Sequence, residues 1–585
     1  MLVEHGGGQR IAREQRGCGR LRPHLPLWIP GRGQDPRPSS FSFVELMKIL
    51  IAEKISPAAL KIFRDEPDFD VVTPEQMGDL TTAVRDADAL VVRSATDVNA
   101  KLIDAAQRLR VIGRAGVGVD NVDTDAATRK GIVVMNTPGA NAIAVAEHTL
   151  GLMLSLARFI PRADQTTRAG KWEKKSLQGT ELRGKTLGIV GLGRVGVEVA
   201  RRAKAFGMKV MAYDPFVSQQ LARDLEIELT GLDLLYAASD YISLHVGLTP
   251  QTERMINAAA LAKMKKGVRL VNCARGELID DAALLKALES GQVAGAALDV
   301  FTQEPPKDSP LLAASNVIAT PHIAGSTNEA QELVGVQIAL QVKEYLKRSV
   351  IQNAVNVPSL SDEEYSEMHP YIELAEKLGL LLGQLSEGNV ESILVGYHGR
   401  VAEWKTALLR NAALKGTLKQ SIDSVNLVNA VSIASERGIQ VQEQKKPEDT
   451  SAGNVISLSV RTHQGEHHSR GVVLHARSPR LLDLDGFHVE APLEGHLTVL
   501  RNRDVPGVIG QVGTVLGRNE INIANFALGR SDATASRAVV STSSGAASVR
   551  GEAMAVVQTD QPVTAAALEE LKRISAVISL RAVQI

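Results

Sequence analysis

Thr186-Leu-Gly-Ile-Val-Gly-Leu-Gly-Arg-Val-Gly196 is an apolar, β-branched run that passes without interruption into Gly191-x-Gly193-x-x-Gly196. A helical pattern, Val197–Phe206, follows, and then a second apolar run, Lys209–Tyr213, that ends in Asp214. Strand, glycine turn, helix, strand and terminal acid form a unit whose parts answer to one ligand. In such a turn the first glycine permits the tight bend, the second lets backbone approach a pyrophosphate, and the third allows close helix–strand packing. The following helix offers unpaired N–H groups and a positive dipole end to phosphates. Asp214 can accept hydrogen bonds from ribose hydroxyls and repels a 2′-phosphate, so the motif predicts NAD rather than NADP. Arg194, inside the turn, is expected to reach the pyrophosphate.

The same alternation of short strands and amphipathic helices begins at Met47. Lys48–Ala52, Ala89–Arg93, Val111–Arg114 and Ile132–Met135 read as strands, which predicts βαβ units and a parallel sheet. One long helix is expected over Asn141 to Ala163, a second βαβ series from near Lys185, and a further helix over Asn328–Arg348. After Pro358 the pattern loosens as far as about Glu494. His496–Ile585 then reads strand, helix, strand, strand, helix, strand, interrupted by a Ser/Ala/Thr-rich stretch, Ser531–Arg550, expected to be a hairpin extension. At about 100–200 residues per domain, the 585 residues predict three or four folding units.

Composition narrows the functional classes. Lys+Arg and Asp+Glu both total 66, and this balance argues against bulk nucleic-acid binding. The longest apolar runs, such as Thr149 to Ala157, fall short of the roughly 20 residues that span a bilayer. Two cysteines, Cys18 and Cys273, make no disulfide framework, which predicts a reducing, cytoplasmic setting. Residues 1–46 are rich in Gly, Arg and Pro without sustained periodicity; they are expected to be a disordered extension, or to precede the true start at Met47.

Three segments after the glycine turn carry residues suited to hydride transfer, each following a predicted strand. Leu270-Val-Asn-Cys-Ala-Arg-Gly276 delivers Arg275, Gly295–Pro306 delivers Asp299 and Glu304, and Val317–Gly325 delivers His322. Oxidation of a secondary alcohol needs a group that takes the hydroxyl proton as hydride leaves, and imidazole titrates in the right range. A carboxylate beside it, Glu304, would orient the ring and stabilise the imidazolium. A guanidinium, Arg275, can hold a substrate carboxylate in a bidentate fork.

These segments resemble the D-isomer-specific 2-hydroxyacid dehydrogenase family, and within it the long-form branch that acts on 3-phospho-D-glycerate. The resemblance runs from Met47 to the C-terminus. It implies two Rossmann-like α/β domains: a substrate-binding domain over 47–145, completed by 328–355, and an NAD-binding domain over 146–327. An α+β allosteric substrate-binding domain over 358–494 and a ferredoxin-like ACT regulatory domain over 495–585 would follow. It implies Arg275, Glu304 and His322 as the catalytic set. NAD contacts would come from Gly191, Gly193, Arg194, Val195, Gly196, Asp214, Cys273, Ala274, Asp299 and Gly325, with Cys273 a packed wall residue rather than a nucleophile. Arg93, Ser94 and Asn141 match positions that contact substrate, while Arg114 stays open between that role and a structural ion pair. Asp504, Pro506, Gly507, Asn522 and Ile523 would form an amino-acid-binding edge, with L-serine as effector and a homotetramer as the assembly. No metal is expected: His463, His467 and His468 read as a solvated hairpin tip. A different D-2-hydroxyacid specificity on the same machinery, or a dinucleotide-sensing binding protein, remain the alternative readings.

Overall fold

The computed structural model describes residues 46–585 apart from 359, 361, 448–452, 476 and 531–550. The expected N-terminal extension and the Ser531–Arg550 hairpin lie outside the described residues. The strands fall into four sheets.

β1 (Met47–Ile51), β2 (Phe69–Val72), β3 (Ala89–Val92), β4 (Val111–Arg114) and β5 (Val133–Met135) form a parallel sheet in the order β2-β1-β3-β4-β5. Near-continuous apolar runs build it because both faces are covered; β3 is buried at all four positions. The helix Asn328–Arg348 returns from far along the chain to cover one face. Its Ile338 and Val342 press so closely on β4 that a Cβ on Gly113 would fall 2.7 Å from Val342 Cγ2. An antiparallel bridge, Met135 to Ala354, ties the end of this return to the sheet.

The second sheet is also parallel, in the order β12-β11-β10-β9-β6-β7-β8. Its strands are β6 (Thr186–Val190), β7 (Lys209–Tyr213), β8 (Glu228–Leu229), β9 (Tyr241–Leu244), β10 (Val268–Asn272), β11 (Val293–Leu298) and β12 (Val317–Ala319). The order runs outward from β6 in both directions, so the carboxyl ends of β6 and β9 diverge at a switch point. Open α/β sheets bind ligands at such a place.

The single long helix expected over Asn141 to Ala163 is instead two, Ala142–Arg158 and Ile160–Arg168, bent by 63°. Pro161 lacks the N–H that would continue the first helix and its ring crowds the preceding turn. Phe159 takes up the break in the left-handed region, at φ 54°, and its N–H closes on Ser155 O. The first of the two helices packs Ala146, Leu150, Met153 and Leu156 into the core of the second sheet with Leu187, Ile189 and Val271. Among the described residues no single helix is long and apolar enough to cross a membrane.

Beyond Pro358, β13 (Val390–His398), β14 (Gln440–Lys446), β15 (Val455–Thr462), β16 (Gly465–Leu474), β17 (Ser478–Leu484) and β18 (Phe487–Pro492) form a mixed sheet, order β14-β13-β15-β16-β17-β18. The helices Asp362–Leu385 and Ala407–Leu418 cross at glycine: a Cβ on Gly416 would lie 2.1 Å from Glu376 O. Asn426, in the Val425–Ala430 segment, donates through Nδ2 to Gly131 O of the first α/β unit at 2.8 Å. Finally β19 (His496–Arg503), β20 (Ile523–Arg530), β21 (Glu552–Thr559) and β22 (Val577–Gln584) form an antiparallel sheet, order β20-β21-β19-β22, with two helices. One face, with Leu500, Ala555 and Val557, packs on those helices. The other, with Leu497, Val499, Met554 and Val556, joins a hydrophobic cluster that runs continuously through the third sheet to Ile338 and Val342.

Candidate active site

The helix after β6 starts at Arg194, earlier than the pattern indicates, because Gly193 caps it directly. Gly191 has φ 96°, and a Cβ there would strike His245 O at 2.6 Å. A Cβ on Gly196 would strike Gly191 O at 2.1 Å. Both positions therefore admit only glycine. Gly193 is different: a Cβ would meet no protein atom within 4 Å, so its backbone is open to a ligand at the helix N-terminus. Asp214 accepts from Leu192 N through Oδ2 and from Phe216 N through Oδ1, both at 2.9 Å. The acid is thereby clamped beside the turn. Val195 packs partly into the core below. Arg194 runs along the loop after β5, where a Cβ on Gly139 would lie 2.3 Å from its Cδ. The donors, the bare backbone and the acid suit NAD, which Gly193, Arg194 and Asp214 would hold.

The carboxyl ends of β10, β11 and β12 supply the next layer. Asn272, fully buried, accepts from Ala274 N and donates to Arg275 O, shaping the turn that presents Arg275. Gly276 lies against Phe301 so tightly that a Cβ would fall 2.0 Å from Phe301 C. This seats the arginine turn on the segment carrying Glu304. Glu304 accepts from Phe301 N through Oε1 at 3.0 Å, and its Oε2 lies 2.7 Å from His322 Nδ1. With Nδ1 engaged by a carboxylate, Nε2 is the ring nitrogen left to exchange a proton. His322 itself sits at φ 53°, an uncommon conformation for a non-glycine residue.

Asp299 maintains that conformation. Its side chain is fully buried, and it accepts from Thr320 Oγ1 (2.6 Å), Ile323 N (2.9 Å) and Ala324 N (2.9 Å). His148 Nε2 approaches at 3.4 Å. Burial opposes ionisation of this carboxyl, but the hydrogen bonds from His148, Thr320 and the two backbone N–H groups outweigh it and hold the pKa below the usual range. The oxygens of Asp299, a residue the resemblance places on the nicotinamide side, are taken up by the loop on either side of His322. Cys273 is buried in the same core, and burial pushes its thiol up to about 12, as befits a wall residue. Gly325 abuts Asn141, whose Nδ2 would lie 2.7 Å from a Cβ there.

Opposite these strands stand the carboxyl ends of β1, β3 and β4. Glu53, which the sequence reading did not single out, accepts the backbone N–H groups of Arg93, Ala95 and Thr96, while Asn121 Nδ2 donates to Arg93 O and Thr96 O. The Arg93–Thr96 loop is thus held from both sides, with Ser94 exposed at its tip. Arg93 donates to Lys54 O and to Gln331 Oε1. Arg114 is mostly buried and its Nε has no hydrogen-bond partner. Burial first, and the nearby Arg275 next, lower its pKa, with Asp120 and Glu53 opposing. It is therefore not a simple surface ion pair. A charged residue just past a buried parallel strand is the signal that could have found Glu53; no local signal points to the burial of Arg114.

In the C-terminal half, Asp504 pairs with Arg530 Nε at 2.7 Å and Asn522 Nδ2 donates to Asp560 at 2.5 Å. Pro506 and Gly507 lead into the helix Val508–Arg518, and Ile523 opens β20. His463 is exposed in the turn between β15 and β16, as expected, but the other two histidines of the group depart from expectation. His467 and His468 lie on β16, not at a tip: His467 Nδ1 meets Asp485 Oδ2 at 2.8 Å and His468 Nδ1 meets Ser459 Oγ at 2.9 Å. Register with β15 and a close turn at Asp485 place them there.

Comparison with known proteins agrees with this architecture. Residues 150–324 match the NAD-binding domain of D-isomer specific 2-hydroxyacid dehydrogenases, so the glycine turn and its neighbouring strands are those of an NAD-dependent oxidoreductase. Residues 367–485 match the D-3-phosphoglycerate dehydrogenase intervening domain, and 496–576 match the ACT domain. D-3-phosphoglycerate dehydrogenase of Synechocystis sp. is 41% identical over 558 residues, covering 94% of this chain and 98% of that one. The Methanocaldococcus jannaschii enzyme of that name is 43% identical over 489 residues, 83% and 93% of the two chains. That of Archaeoglobus fulgidus is 41% identical over 542 residues, 92% and 100%. The chain belongs to the D-3-phosphoglycerate dehydrogenase family.

Proposed function

We propose that this enzyme oxidises 3-phospho-D-glycerate to 3-phosphohydroxypyruvate, with L-serine acting back on it through the ACT domain. The observation that carries the reading is the 2.7 Å contact between His322 Nδ1 and Glu304 Oε2, past the carboxyl ends of β11 and β12 in the same parallel sheet whose β6 ends in the glycine turn. Gly193, Arg194 and Asp214 would hold NAD, which would supply the acceptor for the hydride leaving C2 of the substrate. His322 Nε2 takes the hydroxyl proton, and Glu304 keeps the ring in the tautomer that can do so and stabilises the imidazolium. Arg275 receives the substrate carboxylate. Arg93, Ser94, Asn141 and the buried Arg114 supply donors for a multiply charged acid. Asp504 and Asn522 would receive a small amino acid, whose ammonium must share Asp504 with Arg530. A cytoplasmic homotetramer is the assembly that goes with this reading.

The test is NADH formation by the purified enzyme with 3-phosphoglycerate, glycerate and D-lactate, each with and without L-serine. Preference for 3-phosphoglycerate supports the substrate. Preference for an unphosphorylated acid overturns it, and a rate indifferent to L-serine overturns the effector.

A further inference from the structure

Asp120 belongs to the loop between β4 and the helix Thr124–Arg129, yet its Oδ2 lies 2.9 Å from Nη2 of Arg275 on the opposite sheet. Carboxylate and guanidinium meet over the bare Cα of Gly118. A Cβ there would fall 2.2 Å from Arg275 Nη2 and 2.7 Å from Asp120 Oδ2. The other terminal nitrogen of Arg275 donates to Ala274 O at 2.7 Å. The arginine that the proposed function assigns to the substrate carboxylate thus already holds a carboxylate from its own chain.

Charge explains why such a group should be present. Arg275 and Arg93 both act electrostatically on the buried Arg114 beside this cleft. A substrate bearing a carboxylate and a phosphate would neutralise them; without it they repel. Glu53 is one counter-charge, but its oxygens are committed to the backbone N–H groups of the Arg93–Thr96 loop. Asp120 is two-thirds exposed and Arg275 28% exposed, so their contact is solvent-screened and readily exchanged.

We infer that Asp120 is a stand-in for the substrate carboxylate, occupying Arg275 until a 2-hydroxy acid displaces it, so that binding is an exchange of one carboxylate for another. This rests on the reading of Arg275 given above. Neutral 2-hydroxy compounds, unable to replace a charge, are excluded by the same device. Asp120 sets affinity, not the chemical step.

Asp120→Asn removes the competing charge at almost constant shape. The KM for 3-phosphoglycerate should fall about two- to fivefold, the range of an exposed ion pair, with the gain in kcat/KM carried by KM. Oxalate, a dicarboxylate that needs no turnover, should bind the enzyme–NADH complex tighter by the same factor when titrated by NADH fluorescence. Asp120→Glu, which keeps the charge, should show neither gain. A KM and an oxalate Kd that rise or stay unchanged in Asp120→Asn would overturn the exchange and make Asp120 an orienting partner kept in the ternary complex. If oxalate tightens but the unaltered enzyme makes no NADH from 3-phosphoglycerate, the exchange stands and the substrate reading falls.

Discussion

Replacing Asp299 by asparagine tests how the His322 loop is held. The carboxylate takes Ile323 N and Thr320 Oγ1 on one oxygen and Ala324 N on the other. An amide has a single acceptor oxygen. Whichever way it turns, its NH2 group faces a backbone N–H, and at least one donor in a segment where Ala324 is 4% exposed loses its partner. An orphaned buried donor, together with a lost charge-assisted bond, costs about 2–3 kcal/mol. If that cost falls on local opening of the loop, amide exchange across residues 320–326 accelerates by roughly 30- to 150-fold. A His322 ring displaced by about 1 Å would lower kcat by roughly a hundredfold. Hydrogen-exchange mass spectrometry of that peptide, alongside steady-state kinetics, reads both. The measurement is valid at neutral pH: the Asp299 pKa is depressed, so its contribution is complete above the ordinary carboxylate range and is lost only as pH falls through the lowered value. Exchange within about twofold of the unaltered enzyme, with kcat unchanged, would refute the view that Asp299 holds the loop.

Other outcomes follow from the same geometry. His322→Ala should nearly abolish turnover while NADH binding, followed by fluorescence, persists; loss of both together would mark the residue as structural. Gly191→Ala puts a methyl group 2.6 Å from His245 O at φ 96°, so NAD binding and thermal stability should both fall, whereas Gly193→Ala should spare stability and weaken NAD alone. His467 is raised by its hydrogen bond to Asp485, with burial opposing. Its contribution is therefore complete below about pH 6.5 and fades as pH rises through the raised value. His467→Gln should lower the melting temperature more at about pH 6 than at about pH 9, and an equal loss at both would sink the pairing.

Much of the frame was legible because it is local. Apolar runs located β1, β3, β4, β6 and β7 to within a residue or so, since a buried parallel strand needs continuous hydrophobic residues. The last unit read correctly as strand, helix, strand, strand, helix, strand because polar residues separate its apolar runs. Missing from that reading was the bend at Phe159, although Pro161 two residues on was visible. A helical hydrophobic period continues across the break, and period alone does not register a missing N–H.

Neighbouring residues alone specify which chemical groups the enzyme has to work with: a glycine turn with its acid, and an arginine, a glutamate and a histidine each following a strand. These are properties of single segments, written in neighbouring residues. What each group faces is set by the packing of distant segments. It set Glu304 on the Nδ1 side of His322, turned Asp299 inward onto the loop, buried the Arg114 side chain, and laid Asp120 across the cleft on Arg275. Those partners come from different strands and two different sheets. Their meeting depends on strand order and packing, for which no local pattern of residues exists.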